Sequence, residues 1–317
     1  MLQTHQEAPP IIGMRAAKKA VELALHVPYL EGEKPVGMFL LGAPGTGKST
    51  LLTRFISDHQ VVINDMTGRG LEELCKEMSN RQCGVVVIPD LLRLMARPMG
   101  WAAFQTLSNI VLEEGLEGIK RYDVNVKFPK PVNFGILTAM TLDAFKLNQR
   151  TFERSGFLSR FGVFHFKYEP EDEQRIESLI AAGDRTDDIH YVIDAKDQAG
   201  ISIPEPLSKK VKYVGKICGN GKSPHFRAIK FMRRLICANA LAAGRKEITE
   251  EDLIEGYALC PFFIPPTETS TDLDWLILKT KTKDQTSREQ LIALIESYSP
   301  ESIAGAKARL IRKGFKL

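Results

Sequence analysis

The sequence predicts an α/β core, in which a parallel sheet is covered by helices, followed by a helical zone and a small basic module at the C-terminus. Up to about Tyr168, short apolar runs alternate with helical patterns, as in parallel sheets with crossover helices. From Glu169 the pattern is helical, and residues 261–266 interrupt it like a linker. We therefore expect three domains, with the boundaries 1–168, 169–262 and 263–317.

Five apolar runs are the predicted strands of the sheet. They are short and rich in Val, Ile, Leu and Phe, which is typical of strands buried on both faces. The predicted strands are residues 37–41, 60–63, 84–88, 132–138 and 163–166. In the helical zone, helices are predicted over 171–182, 226–243 and 249–258, the last with a capped start at Thr249.

A complete phosphate-binding pattern, G-x-x-x-x-G-K-[ST], follows the first strand and precedes a helix predicted from Lys48 to about Ile56. Its glycines allow backbone N–H groups to surround phosphates, Lys48 supplies charge to the β and γ oxygens, and Ser49 offers a hydroxyl to Mg²⁺. The expected cofactors are ATP and Mg²⁺. The nucleotide-binding candidates are Gly42, Ala43, Pro44, Gly45, Thr46, Gly47, Lys48, Ser49 and Thr50.

A second motif is the apolar run 85–88, which is followed by Pro89 and Asp90. An Asp at the end of a buried strand, about 40 residues after the phosphate loop, is typical of an acid that holds Mg²⁺ through water. The alternative is a core strand that ends in a turn. We predict Ser49 and Asp90 as the metal-binding residues.

With these motifs the chain resembles the AAA+ ATPases, and the resemblance extends through residue 259. Residues 133–138 end in a polar side chain at the place of the family's first sensor, which implies that role for Thr138, with Thr141 second. Residues 225–231 resemble the lid helix that carries the second sensor, which implies Arg227.

Residues 155–161 resemble the L-L-S-R-F segment of minichromosome maintenance helicases. The resemblance implies that Arg160 is an arginine finger, with Arg154 in reserve. Because such a guanidinium acts on ATP bound by another copy, the chain is expected to form a ring or a filament. The wider family favours hexamers.

The residue that activates water is not evident, because Leu91 follows Asp90 where many such ATPases carry a glutamate. By resemblance, Asp65 lies beside the metal motif and is a candidate base. Its alternative role is to cap the turn into residues 68–70. Glu113 and Glu114 are more remote candidates.

Two loops are candidates for contact with DNA. Residues 93–101 follow the metal strand, where AAA+ rings project residues toward the pore, and residues 118–130 resemble the hairpin before the first sensor of helicases. The candidate cations are Arg97, Lys120, Arg121 and Lys127, which suit phosphate contacts. Trp101 and Tyr122 either stack on bases or pack under their own domain.

The C-terminal module concentrates the positive charge of the chain. Residues 279–317 contain nine Lys or Arg and four acids, whereas the whole chain has a net charge of +4. Ser299 and Pro300 indicate the start of the last helix, which we interpret as part of a winged-helix or helix-turn-helix module. Its candidate DNA contacts are Arg309, Arg312 and Lys313, and the alternative is a protein-docking surface.

The apolar runs and the cysteines bear on where the protein is located and on which sites it contains. No apolar run approaches the roughly 18 residues of a membrane span, and the N-terminus is polar, so a cytoplasmic protein without a membrane partner is expected. The five cysteines form no C-x-x-C pair, which argues against a zinc site or disulfide framework.

These features predict an ATPase that acts on DNA. The leading expectation is a helicase-like translocase or remodeller, which the hairpin favours. The rival is an ATP-dependent switch that assembles on DNA and recruits a partner protein, as loaders, initiators and transposition regulators do, and Leu91 favours it. A third class is a protein remodeller, in which Met99 and Trp101 grip a polypeptide.

Overall fold

A computed structural model of the chain describes residues 12–81, 84–120, 125–183, 190–193, 197–218, 226–263 and 299–312. The chain divides into two compact units. The first comprises Met1–Phe161 and Phe166–Gln198, and the second comprises Gly162–His165 and Ala199–Leu317. The domain boundaries at residues 168 and 262 remain predictions.

The main β structure of the described residues is a parallel sheet. The described strands are β1 (Gly37–Gly42), β2 (Phe55–Ile56), β3 (Gln60–Val62), β4 (Gly84–Ile88), β5 (Leu116–Lys120), β6 (Asn125–Val132), β7 (Phe134–Thr141), β8 (Phe161–His165) and β9 (Tyr191–Val192). The order in the five-stranded sheet is β3-β4-β7-β1-β8, and its strands β1, β3, β4 and β7 lie wholly in the first unit. Each of the five predicted runs contributes a strand to it, so the predicted α/β core with a parallel sheet is confirmed.

Helices flank this sheet and form much of the second unit. They are α1 (Arg15–His26), α2 (Lys48–Arg54), α3 (Gly68–Ser79), α4 (Leu91–Met95), α5 (Pro98–Val111), α6 (Leu142–Arg154), α7 (Pro170–Ala181), α8 (Glu205–Cys218), α9 (Phe226–Ala242), α10 (Glu250–Phe263) and α11 (Pro300–Arg312). The sequence did not predict α1 or α8.

Two predicted boundaries were wrong. The helix expected to reach Ile56 ends at Arg54, because the next two residues form β2 and pair with β9. The linker expected from Pro261 does not begin there, because α10 continues through that proline to Phe263. Both residues are buried, so packing of the last turn offsets the hydrogen bond that proline cannot donate.

In the second unit a buried carboxylate ties the start of α10 to α9. Asp252 is fully buried and accepts bonds from both Arg245 Nη atoms at 2.6 and 2.7 Å and from Asn239 Nδ2 at 2.7 Å. It also accepts from the Thr249 backbone N–H at 2.7 Å, which confirms the predicted capped start. Burial alone raises the pKa of Asp252, but these bonds outweigh it and hold the pKa below its ordinary value.

Candidate functional site

The phosphate loop begins at the carboxyl end of β1, which pairs in parallel with β7. Gly42, the last residue of β1, lies opposite Thr141, the last residue of β7. Ligands of open α/β sheets bind beyond this end of the strands. Gly45 and Gly47 have φ angles of +76° and +75°, a backbone conformation that side-chain-bearing residues rarely adopt. The loop conformation therefore depends on these two glycines.

Lys48 lies almost entirely inside the loop, with 7% of its surface exposed. Its Nζ donates to the Ala43 carbonyl and to Thr46 Oγ1, the latter at 3.0 Å. Burial lowers the pKa of Lys48, and the negative charge of Asp90 opposes that change. The ammonium group is thus held by weak neutral partners that phosphate oxygens can replace.

The two predicted metal ligands lie at the same strand end. Ser49 Oγ donates to the Pro89 carbonyl at 2.7 Å, which brings the hydroxyl next to the residue before Asp90. The Asp90 carboxylate caps α4 by accepting from the Leu92 N–H at 3.1 Å, and it lies 3.6 Å from Arg93 Nε. A hydroxyl and a carboxylate are hard oxygen ligands of the kind Mg²⁺ prefers.

The described residues contain no group of three or more His, Cys, Asp or Glu that suits a metal ion.

The two sensor candidates on β7 have different surroundings. Thr138 is 1% exposed, and its hydroxyl donates to the Ile88 carbonyl of the neighbouring strand at 2.9 Å. Thr141 is half-buried at the strand end opposite Gly42, where it caps α6. The geometry therefore favours Thr141, the second choice, over Thr138 for contact with phosphate.

Asp65 does not cap the start of α3, and its role as a base stays a prediction. Its carboxylate accepts from the Met66 N–H at 2.8 Å and from the Arg97 guanidinium. The start of α3 is instead capped by Thr67, which accepts from the Gly70 N–H at 3.1 Å. The carboxylate proposed as a base is therefore paired with Arg97.

The two finger candidates also differ. Arg160 has 18% of its side chain exposed; Nη1 donates to the Gly156 carbonyl at 2.6 Å, and Nη2 lies 3.2 Å from Glu113 Oε2. Its Nε is buried without a hydrogen-bond partner. Arg154, at the end of α6, is exposed and forms no hydrogen bond or ion pair with any other described residue.

Leu91, which follows Asp90, is fully buried in α4. Arg227 is exposed near the start of α9, in the second unit. Trp101 belongs to α5 rather than to a loop, and its ring lies 5.4 Å from that of Phe157 and 5.7 Å from that of Phe152. The packing alternative for this tryptophan is therefore correct.

The predicted hairpin is present as antiparallel β5 and β6, with Gly118 opposite Lys127. Lys120 and Lys127 are exposed on it. Arg97, another predicted DNA contact, keeps 55% of its side chain exposed while it binds Asp65. The remaining candidates are Arg121, Tyr122 and Lys313, which lie outside the described residues, and Arg309 and Arg312, which occupy positions on α11.

Neither a protein-family model nor a curated protein matches this chain. None of the helices within the described ranges combines the length and the apolar character required to cross a membrane.

Proposed function

We propose that the chain binds ATP with Mg²⁺ at the loop after β1 and acts as an AAA+-type ATPase on DNA. The observation that carries the proposal is the loop itself. Two glycines with positive φ angles shape it, the Lys48 ammonium is buried inside it, and Ser49 is bonded beside Asp90. A chance glycine-rich turn has no reason to bring together a buried cation, a hydroxyl and a carboxylate.

In this proposal, each residue binds or orients part of the nucleotide. Lys48 and the backbone N–H groups of the loop hold the phosphates. Ser49 and Asp90 hold Mg²⁺, directly and through water, and the ion neutralises charge that develops on the phosphates. Thr141 orients the γ-phosphate from the end of β7. Thr138, whose hydroxyl is bonded within the sheet, stabilises the strands.

Arg160 or Arg154 supplies the guanidinium that completes the site of a neighbouring copy, which makes the active form a homo-oligomer. Arg227 acts as the second sensor from the helical zone. The guanidinium of Arg160 is bound to Glu113 within its own chain, so its use in trans requires exchange of that carboxylate for a phosphate. Arg154 requires no such exchange with a described residue.

Among the modes of action, an ATP-dependent switch has the strongest support. The residue after Asp90 is a buried leucine, and the nearest candidate base, Asp65, is bound to Arg97. A site that holds nucleotide well but has few groups to activate water favours slow hydrolysis and long-lived ATP-bound assemblies. Such assemblies would bind DNA and recruit a partner protein.

A motor that translocates along DNA is the second candidate, and the β5–β6 hairpin with its exposed Lys120 and Lys127 supports it. Protein remodelling has less support. Met99 is 88% exposed and suits a grip on polypeptide, but Trp101, its proposed companion, packs against Phe157.

The deciding experiment measures ATP turnover with and without single-stranded and double-stranded DNA, together with strand displacement and oligomer size. The switch predicts ATP-dependent assembly, slow turnover and no strand displacement. Displacement coupled to turnover would establish the motor. Absence of any nucleotide binding would refute both.

A further inference from the structure

Tyr168 forms a hydrogen bond with the phosphate loop from a distant part of the chain. Its hydroxyl donates to the Thr46 carbonyl at 3.0 Å, although the two residues are 122 positions apart. Burial and the nearby Asp172 raise the pKa of Tyr168, so the hydroxyl keeps the proton that it donates at neutral pH.

The Tyr168 ring is held on two sides. It meets the Phe166 ring edge-on, with the ring centroids 4.7 Å apart. On the other side is Gly13, which has a φ angle of +68°, and a Cβ at that position would lie 2.6 Å from Tyr168 Cδ1. The absence of a side chain at residue 13 thus gives the ring its room, and the hydroxyl has a fixed position at the loop.

The Thr46 carbonyl, which accepts this hydrogen bond, belongs to the peptide unit that joins Thr46 to Gly47. In a planar trans peptide, the carbonyl and the following N–H point in opposite directions. A bond that holds the Thr46 carbonyl toward Tyr168 therefore directs the Gly47 N–H away from it. Because Gly47 tolerates many backbone conformations, this peptide unit would otherwise flip at little cost in free energy.

We propose that Tyr168 is a positioning residue for the phosphate loop, whose hydroxyl keeps the peptide unit between Thr46 and Gly47 in the orientation that binds a di- or triphosphate. The inference rests on the proposed nucleotide binding. Its effect is on the phosphates rather than on the base, and it requires the hydroxyl rather than the aromatic ring.

The test compares Tyr168→Phe with the wild-type chain by calorimetric titration of Mg·ATP and, separately, of magnesium pyrophosphate. Without the hydroxyl, the peptide unit between Thr46 and Gly47 must be ordered during binding, which is expected to weaken both affinities by about five- to tenfold. The melting temperature without ligand is expected to fall by no more than about 4 °C, because one hydrogen bond is lost while the ring and its packing remain. A matched control is Tyr29→Phe, which removes a different tyrosine hydroxyl, 3.3 Å from Ser57 Oγ, and should leave both affinities unchanged.

A second variant, Gly13→Ala, displaces the ring and should weaken both ligands in the same direction. If wild type binds Mg·ATP and Tyr168→Phe binds it equally well, the positioning role is refuted while nucleotide binding stands. Loss of affinity for ATP without loss for pyrophosphate would also refute it, since the residue would then act on the nucleoside. A wild-type chain that binds neither ligand refutes both proposals.

Discussion

The end of β1 and the ends of β3 and β4 lie along the same edge of the sheet, but their polar side chains have different partners. At β1, Lys48 is bonded to neutral oxygens of its own loop. At β3, Asp65 is bonded to a full positive charge on Arg97. The first arrangement exchanges readily for phosphate, whereas the second holds the candidate base in an ion pair.

This difference separates two tasks that are usually combined in one site. Holding phosphates requires loop conformation, a cation and hard oxygen ligands, and the end of β1 supplies them together with Ser49 and Asp90. Activating water requires a base or an orienting group near the γ-phosphate. The residue after Asp90 is a buried leucine, so this edge is better equipped for binding than for hydrolysis.

The largest expected effect is on ATP turnover that depends on an arginine from a neighbouring copy. Arg160→Ala should leave ATP affinity intact and lower turnover by about 10³-fold, because the finger stabilises charge only during phosphoryl transfer. Turnover is measured for Arg160→Ala, Arg154→Ala and mixtures of Arg160→Ala with Lys48→Ala, in which mixed interfaces should recover a fraction of activity. Normal turnover in Arg160→Ala, with loss in Arg154→Ala, would transfer the role and leave Arg160 as the partner of Glu113.

Removal of the buried Lys48 ammonium tests whether the loop after β1 binds phosphates. Lys48→Ala should weaken Mg·ATP binding by about 100-fold or more, since it removes a charge-assisted bond to the β and γ phosphates. Calorimetry measures the affinity, and Lys76→Ala, an exposed lysine on α3, serves as the control. Equal affinity of Lys48→Ala and wild type would remove the basis for the nucleotide assignment.

A smaller effect is expected at the C-terminus. Charge reversal at Arg309, Arg312 and Lys313 should weaken DNA binding by roughly tenfold and reduce the salt slope of the affinity by about 3, because fewer counterions are released. Nucleotide affinity should not change. Reversal at Lys209, Lys212 and Lys246 controls for net charge, and DNA affinities across a salt titration that match wild type would favour a protein-docking module.

The smallest effect is expected at Asp65. Because Arg97 already binds this carboxylate, Asp65→Asn should change turnover by no more than about twofold. Steady-state turnover is measured beside ATP-dependent assembly in the same preparation. A loss of turnover with assembly retained would identify Asp65 as the base and would break the contrast between the two strand ends.

The sequence predicted the features that depend on local pattern. The five strand runs, the phosphate loop and the capped start at Thr249 all follow from residue types within a few positions of one another. The start of α11 belongs to the same class, since Ser299 Oγ accepts from the Ser302 N–H at 3.3 Å. In each case the signal and the structure lie in the same short segment.

What the sequence did not predict depends on pairing between distant segments. The choice between Thr138 and Thr141 requires the register of β7 against β1 and β4. The ion pair of Asp65 with Arg97 joins residues 32 positions apart. The packing of Trp101 depends on Phe152 in α6 and on Phe157 after it, so a pattern confined to residues 93–101 could not separate packing from exposure.

The most direct test of the contrast measures the affinity for Mg·ATP and the steady-state turnover in one preparation, with and without DNA. We predict micromolar binding together with turnover below about 1 s⁻¹, which is slower than most enzymes. Turnover of about 10 s⁻¹ or more on DNA would contradict the account, because it would require a competent base at the ends of β3 and β4. Failure to bind Mg·ATP would contradict the assignment of a nucleotide site to the loop after β1.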